Sequence, residues 1–81
     1  MNILLRQRAI EALALAQPQV QKAFIKQINF LARDLRHPSL HAKKYNEAGD
    51  IWQGRITGDF RFYFQIVGDA YHILDLTPHP K

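Results

Sequence analysis

Two arginines, Arg55 and Arg61, stand on either side of the turn signal Thr57-Gly58-Asp59. A guanidinium stays charged and presents a planar fork of donors that fits two oxygens of a phosphate or carboxylate. Four histidines, His37, His41, His72 and His79, offer proton transfer near neutrality, because an unperturbed imidazole has a pKa of about 6.5. His41 is either a proton-transfer residue or a solvated loop residue. The bland alternatives are a helix end for His37, a strand surface for His72 and a simple tail residue for His79. Lys43 and Lys44 form a basic doublet, which is either a grip on an anion or a solvated pair. Tyr63 offers a ring that either stacks on a base or covers the sheet. There is no cysteine, so thiolate nucleophiles, thiolate metal sites and disulfides are excluded. The spacing of His37 and His41 invites a zinc pair, but Pro38 breaks the helix that would align them. No metal and no cofactor is expected.

Strands must position these groups. Residues 51–56, 60–66 and 70–76 alternate with period two, and Gly68-Asp69 supplies the second turn signal. In 60–66, Phe60, Phe62, Phe64 and Ile66 share one face and Arg61, Tyr63 and Gln65 share the other. In 51–56, Trp52, Gly54 and Ile56 belong with the phenylalanines. A three-residue loop then pairs Ile56 with Phe60, Gly54 with Phe62 and Trp52 with Phe64. It also sets Arg55 opposite Arg61 and Gln53 opposite Tyr63. A two-residue loop would push Arg55 into the aromatic core, where an unpaired charge is prohibitive. Like charges facing each other across strands repel, so the arginine pair calls for an anion. An internal one, Asp75 or Glu47, would make the pair structural; a bound phosphate would make it functional. A two-residue turn at Gly68-Asp69 pairs Gln65 with His72 and puts Leu74 and Leu76 on the arginine face. The tail from Thr77, with Pro78 and Pro80, is not expected to continue a central strand.

The first half reads as helical. Ile3-Leu4-Leu5 suits a short strand, and 7–16 is rich in Ala and Leu. Pro18 opens a second helix whose stripe Val20, Phe24, Ile28, Leu31 and Leu35 has helical period. His37-Pro38 should end it. Residues 38–50 read as a loop or irregular strand. The expected fold is α+β: an antiparallel helix hairpin on one face of a small, mostly antiparallel sheet, with 1–81 as one domain.

The formal net charge is +4, carried unevenly. Residues 1–45 hold eight Lys/Arg against two acids, and 46–81 hold three against five. A basic surface favours nucleic acid, acidic protein or anionic lipid. The short apolar start is no signal peptide, and no run is long enough to span a membrane. A cytoplasmic protein with no membrane partner is expected.

The stretches 37–44 (HPSLHAKK), 51–56 (IWQGRI) and 60–64 (FRFYF), with the late Pro78-His79, resemble the RelE/ParE superfamily of toxin–antitoxin toxins. The likeness runs from about residue 3 to residue 80. It implies a toxin neutralised by a cognate antitoxin. The RelE-like branch cleaves mRNA on the ribosome and inhibits translation; the ParE branch inhibits DNA gyrase; inactive homologues bind an antitoxin alone. In the nuclease branch, the position of Arg61 contacts the scissile phosphate and that of Arg55 is a neighbouring basic strand residue. Lys43 and Lys44 fall in the segment that grips RNA, and His79 falls where some members keep a general acid or base. Only Pro80 and Lys81 follow His79, where many nucleases have an aromatic residue, and the basic loop lacks the glutamate of one subgroup.

Overall fold

The computed structural model describes residues 1–79. In chain order it contains β1 (Asn2–Leu5), α1 (Gln7–Leu15), α2 (Pro18–Arg33), a 3-10 turn (Pro38–Leu40), β2 (Lys43–Asn46), β3 (Ile51–Thr57), β4 (Phe60–Val67) and β5 (Ala70–Pro78). The strands form one sheet in the order β1-β5-β4-β3-β2. β1 runs parallel to β5 and every other pair is antiparallel. Among the described residues no helix is long and apolar enough to cross a membrane.

Both helices lie on the aromatic face of the sheet, α1 over β5 and α2 over β3. Gln21 on α2 donates to the Leu13 carbonyl of α1 at 2.9 Å and ties the two together. The core joins Ala9 of α1, Phe24 and Leu31 of α2 and Leu40 of the 3-10 turn to Ile56, Phe62, Phe64, Tyr71, Ile73 and Leu76 of the sheet. Phe24 meets Phe62 edge-on at 5.8 Å, and Phe62 stacks on Phe64 at 5.5 Å.

α2 stops at Arg33, four residues short of His37. Asp34 leaves the helix with φ −157° while its N–H still bonds the Phe30 carbonyl. Its carboxylate accepts the Arg36 N–H at 2.9 Å, a local bond that competes with the helical one. Leu35 packs on the core from outside the helix. The segment expected to be a loop or irregular strand contains the 3-10 turn and the edge strand β2.

Arg55 faces Arg61, Gln53 faces Tyr63, Gly54 faces Phe62 and Trp52 faces Phe64. The expected Ile56–Phe60 pair is absent, because Thr57 faces Phe60 and the register shifts between Arg55 and Thr57. The loop is therefore the two-residue Gly58-Asp59, not the three-residue loop the alternation called for, and a bulge at Ile56 restores parity. Ile56 stays in the core and Arg55 stays out of it.

A second bulge corrects the other hairpin. Gly68, at φ +59°, helps close the two-residue turn, and Gln65 faces His72. The register then shifts between Tyr63 and Phe64, so that Phe64 faces Ile73 while Tyr63 faces Asp75. The unpaired Leu74 flips everything after it. Leu76 enters the core opposite Phe62, and Asp75 and Thr77 move to the arginine face. β5 also continues through Pro78, against expectation. β1 pairs only with residues 70–73, so the far end of β5 has an open edge. The His79 N–H points toward β4 and bonds the Asp59 carbonyl at 2.7 Å. The proline nitrogen one residue earlier points to the open side, where no donor is needed.

Tyr71 is a core residue, and burial, aided by the charge of Asp34, pushes its phenol above the ordinary value of 10.0. The unfolded chain therefore ionises first as pH rises. This contribution to stability is whole below pH 10.0 and is lost as pH climbs toward the raised folded value. Urea unfolding at pH 8 and above pH 10 should show the alkaline loss, and Tyr71→Phe should shrink it.

Candidate functional site

The helix-free face of the sheet carries Lys43 from β2, Gln53 and Arg55 from β3, Arg61 and Tyr63 from β4, and Asp75 and Thr77 from β5. A shallow cavity of about 440 Å³ opens there, lined by His41, Ala42, Lys43, Gln53, Arg55, Arg61 and His79. It collects Arg61, Arg55, His41, His79 and Lys43, residues that lie far apart in the chain.

Both guanidiniums flank the β3–β4 turn. Arg61 Nη1 donates to the carbonyls of Thr57 at 2.6 Å, Phe60 at 3.0 Å and Gly58 at 3.4 Å. Arg55 Nη2 would lie 3.7 Å from a Cβ built at Gly58. Neither internal counter-ion suggested by the sequence serves the pair. Asp75 turns to Arg8, at 3.9 Å, and to the Leu76 N–H. Glu47 lies in the β2–β3 turn, where its carbonyl accepts the Asp50 N–H. Among the described residues the ion pairs are Arg8–Asp75 and Lys44–Asp50, and neither involves Arg55 or Arg61. The turn carbonyls offset part of the repulsion through their dipoles, and the two full charges remain.

His41 ends the 3-10 turn in the left-handed region, at φ 46° and ψ 41°. That backbone disfavours any residue but glycine, and here it is held at the cavity rim. His37 starts the same turn rather than ending α2: its Nδ1 accepts the Ser39 N–H at 3.1 Å and its ring stacks on Phe30 at 3.8 Å. His72 lies away from the cavity, its Nδ1 3.2 Å from Arg6 Nη1.

A buried amide sets this rim, and the sequence reading missed it. Gln27 sits in the apolar stripe of α2 and is 4% exposed. Its Nε2 donates to the carbonyls of Ser39 at 2.9 Å and Arg55 at 2.8 Å, and its Oε1 accepts the Ser39 hydroxyl at 3.0 Å. One side chain thus pins α2 to the 3-10 turn and to the bulge beneath Arg55. Gln27→Leu should cost about 1–3 kcal/mol in urea unfolding, because two inward carbonyls lose their donor.

A second cavity of about 580 Å³ shares Gln53 and His79 with the first and adds Tyr45, Tyr63, Leu74, Asp75 and Thr77. The rings of Tyr45 and Tyr63 lie 4.9 Å apart, tilted by 60°. Tyr45 escaped the sequence reading because its segment lacks a clear strand pattern; Thr77 escaped because the Leu74 bulge is silent in the sequence. Lys44 is not brought to either cavity. β2 alternates, so Lys43 faces Gln53 while Lys44 faces Trp52. Lys44 Nζ sits 5.0 Å over the Trp52 ring and bonds Asp50. That hydrogen bond, with the charges of Asp50 and Glu47, pushes its pKa above the ordinary lysine value.

No family model and no curated protein matches the sequence. Solved structures do match. A YoeB/ParE toxin from Agrobacterium tumefaciens superposes with a TM-score of 0.83 at 13% identity, over 99% of this chain and 100% of that one. In the archaeal RelE–RelB complex from Pyrococcus horikoshii OT3 the values are 0.79 and 18%, over 95% and 92%. In the toxin–antitoxin complex RelBE2 from Mycobacterium tuberculosis they are 0.78 and 19%, over 96% of each chain. This chain has the fold of the RelE/ParE toxins.

Proposed function

We propose that this chain is a toxin of a toxin–antitoxin system that binds RNA on the open face of its sheet and cleaves it without a metal. The observation that carries this reading is the cavity in which two guanidiniums, in no ion pair among the described residues, meet His41, His79 and Lys43. RNA supplies its own nucleophile, the 2′-hydroxyl. Arg61 and Arg55 hold the non-bridging phosphate oxygens and take up the charge that builds on phosphorus. One of His79 and His41 removes the 2′-hydroxyl proton as the 2′-oxygen bonds to phosphorus. The other gives a proton to the departing 5′-oxygen. The products are a 2′,3′-cyclic phosphate and a 5′-hydroxyl. Lys43 steadies the backbone, and a base stacks on Tyr63 and Tyr45 in the adjoining cavity. Lys44, held by Asp50, is outside this assignment. Translated mRNA on the ribosome is the substrate. An antitoxin is the protein partner, which the toxin–antitoxin complexes among the similar folds support.

A second reading is gyrase inhibition of the ParE kind, or antitoxin binding without catalysis. The three turn carbonyls that occupy Arg61 Nη1 favour it, since they give that arginine work with no RNA present. Induction in cells with mapping of transcript 5′ ends tests the proposal. New ends within translated messages are expected. Intact transcripts with blocked gyrase supercoiling would replace the nuclease reading with the second one.

A further inference from the structure

A third polar cavity, of about 310 Å³, lies between α2 and β3 and shares two wall residues, His41 and Arg55, with the arginine cavity. Lys26, Ser39 and Thr57 complete its polar lining, over a floor that includes Ala23 and Ile56. Among the described residues no carboxylate lines either cavity, while each carries cationic side chains, so each suits an anion. Among the described residues Lys26 has no acidic partner; its ammonium lies 6.0 Å from the Phe30 ring centre. The Thr57 hydroxyl accepts the Asp59 N–H at 3.2 Å, which leaves its proton to donate. Gln27 spends both its donor and its acceptor on Ser39 and Arg55 and so serves as a fixed floor.

We propose that this third cavity is a second phosphate subsite, built by Lys26, Thr57, Arg55 and His41, that takes the phosphodiester next to the one held at Arg61. It rests on the RNA-binding reading of the first cavity. The shared wall gives the reason for adjacency: Arg55 sits between the two subsites and can hold one oxygen from each of two neighbouring phosphates. A single strand would cross the β3–β4 turn with successive phosphates on the two sides of Arg55. The facing positive charges are then matched by two anions from one chain.

The test uses 2′-O-methyl oligonucleotides, whose blocked nucleophile allows binding without cleavage. Affinity is measured against salt for the wild type, Lys26→Gln and Lys22→Gln, the last a control on the same helix outside both cavities. Lys26→Gln should weaken binding of a strand with several phosphates and flatten the salt slope by about 0.7, the share of one phosphate contact on a single strand. Lys22→Gln should leave the slope alone. A dinucleotide with one phosphate should bind wild type and Lys26→Gln equally, and the difference should appear once a second phosphate is added. If Lys26→Gln keeps the wild-type slope on a strand the wild type binds, the second subsite is overturned and the first stands. If the wild type binds no oligonucleotide, both fall.

Discussion

Arg61→Ala is expected to reduce cleavage of a translated message by about 10²–10³-fold, the usual loss when one donor to a developing oxyanion is removed. Arg61 lines a cavity in which, among the described residues, it makes no ion pair with a carboxylate. The turn contacts through Nη1 complicate a simple truncation, so Arg61→Lys belongs beside it. Lysine keeps the charge and can still reach a turn carbonyl, but it loses the planar fork. If the role is catalytic, both variants lose most cleavage while only the alanine shows a lowered melting temperature. Primer extension on a translated transcript, with thermal unfolding of the same preparations, separates the two. An unchanged cleavage pattern in folded Arg61→Ala would remove this residue from the mechanism.

Gly54→Ala should destabilise the fold by about 3 kcal/mol, at the upper end of what overpacking costs. A Cβ at this position would fall 2.4 Å from Phe62 Cζ and 2.6 Å from Cε1. The ring has nowhere to go, because Phe62 is fully buried and wedged between Phe24 and Phe64. Relief by sliding β3 would take Arg55 out of register with Arg61. Gly58→Ala is the matched control, since its nearest neighbour would be Arg55 Nη2 at an ordinary 3.7 Å. Urea midpoints should drop for the first and hold for the second.

Alternation in 51–56 and 60–66 is enough to place Arg55 opposite Arg61, because a charged residue among the phenylalanines is so costly that only one parity survives. The helical stripe in α2 is legible for the same reason. What stays hidden depends on single residues that break a pattern. The bulges at Ile56 and Leu74 carry no turn residue to announce them, yet the second sends Leu76 into the core and Asp75 and Thr77 out. Asp34 ends α2 through one side-chain bond that composition does not reveal. Gln27 looks like a polar residue on a helix surface until the 3-10 turn and β3 close over it. In the candidate site, arginines fixed by strand parity could be placed from sequence. Tyr45 and Thr77 could not, because each depends on a strand that the sequence marks poorly.

The place of β5 in the sheet makes the open-face cavity late to form. β5 is the last strand in chain order, yet it lies between β1 and β4 and brings Asn2 beside Ala70. A parallel closure over so long a loop is slow, and it cannot begin until the last strand is free to pair. During synthesis β4 would be an open edge with Phe62 and Phe64 uncovered and no His79 beside Arg61. The open-face cavity is therefore complete only once β5 has joined the sheet and brought His79 to the wall shared with Arg61.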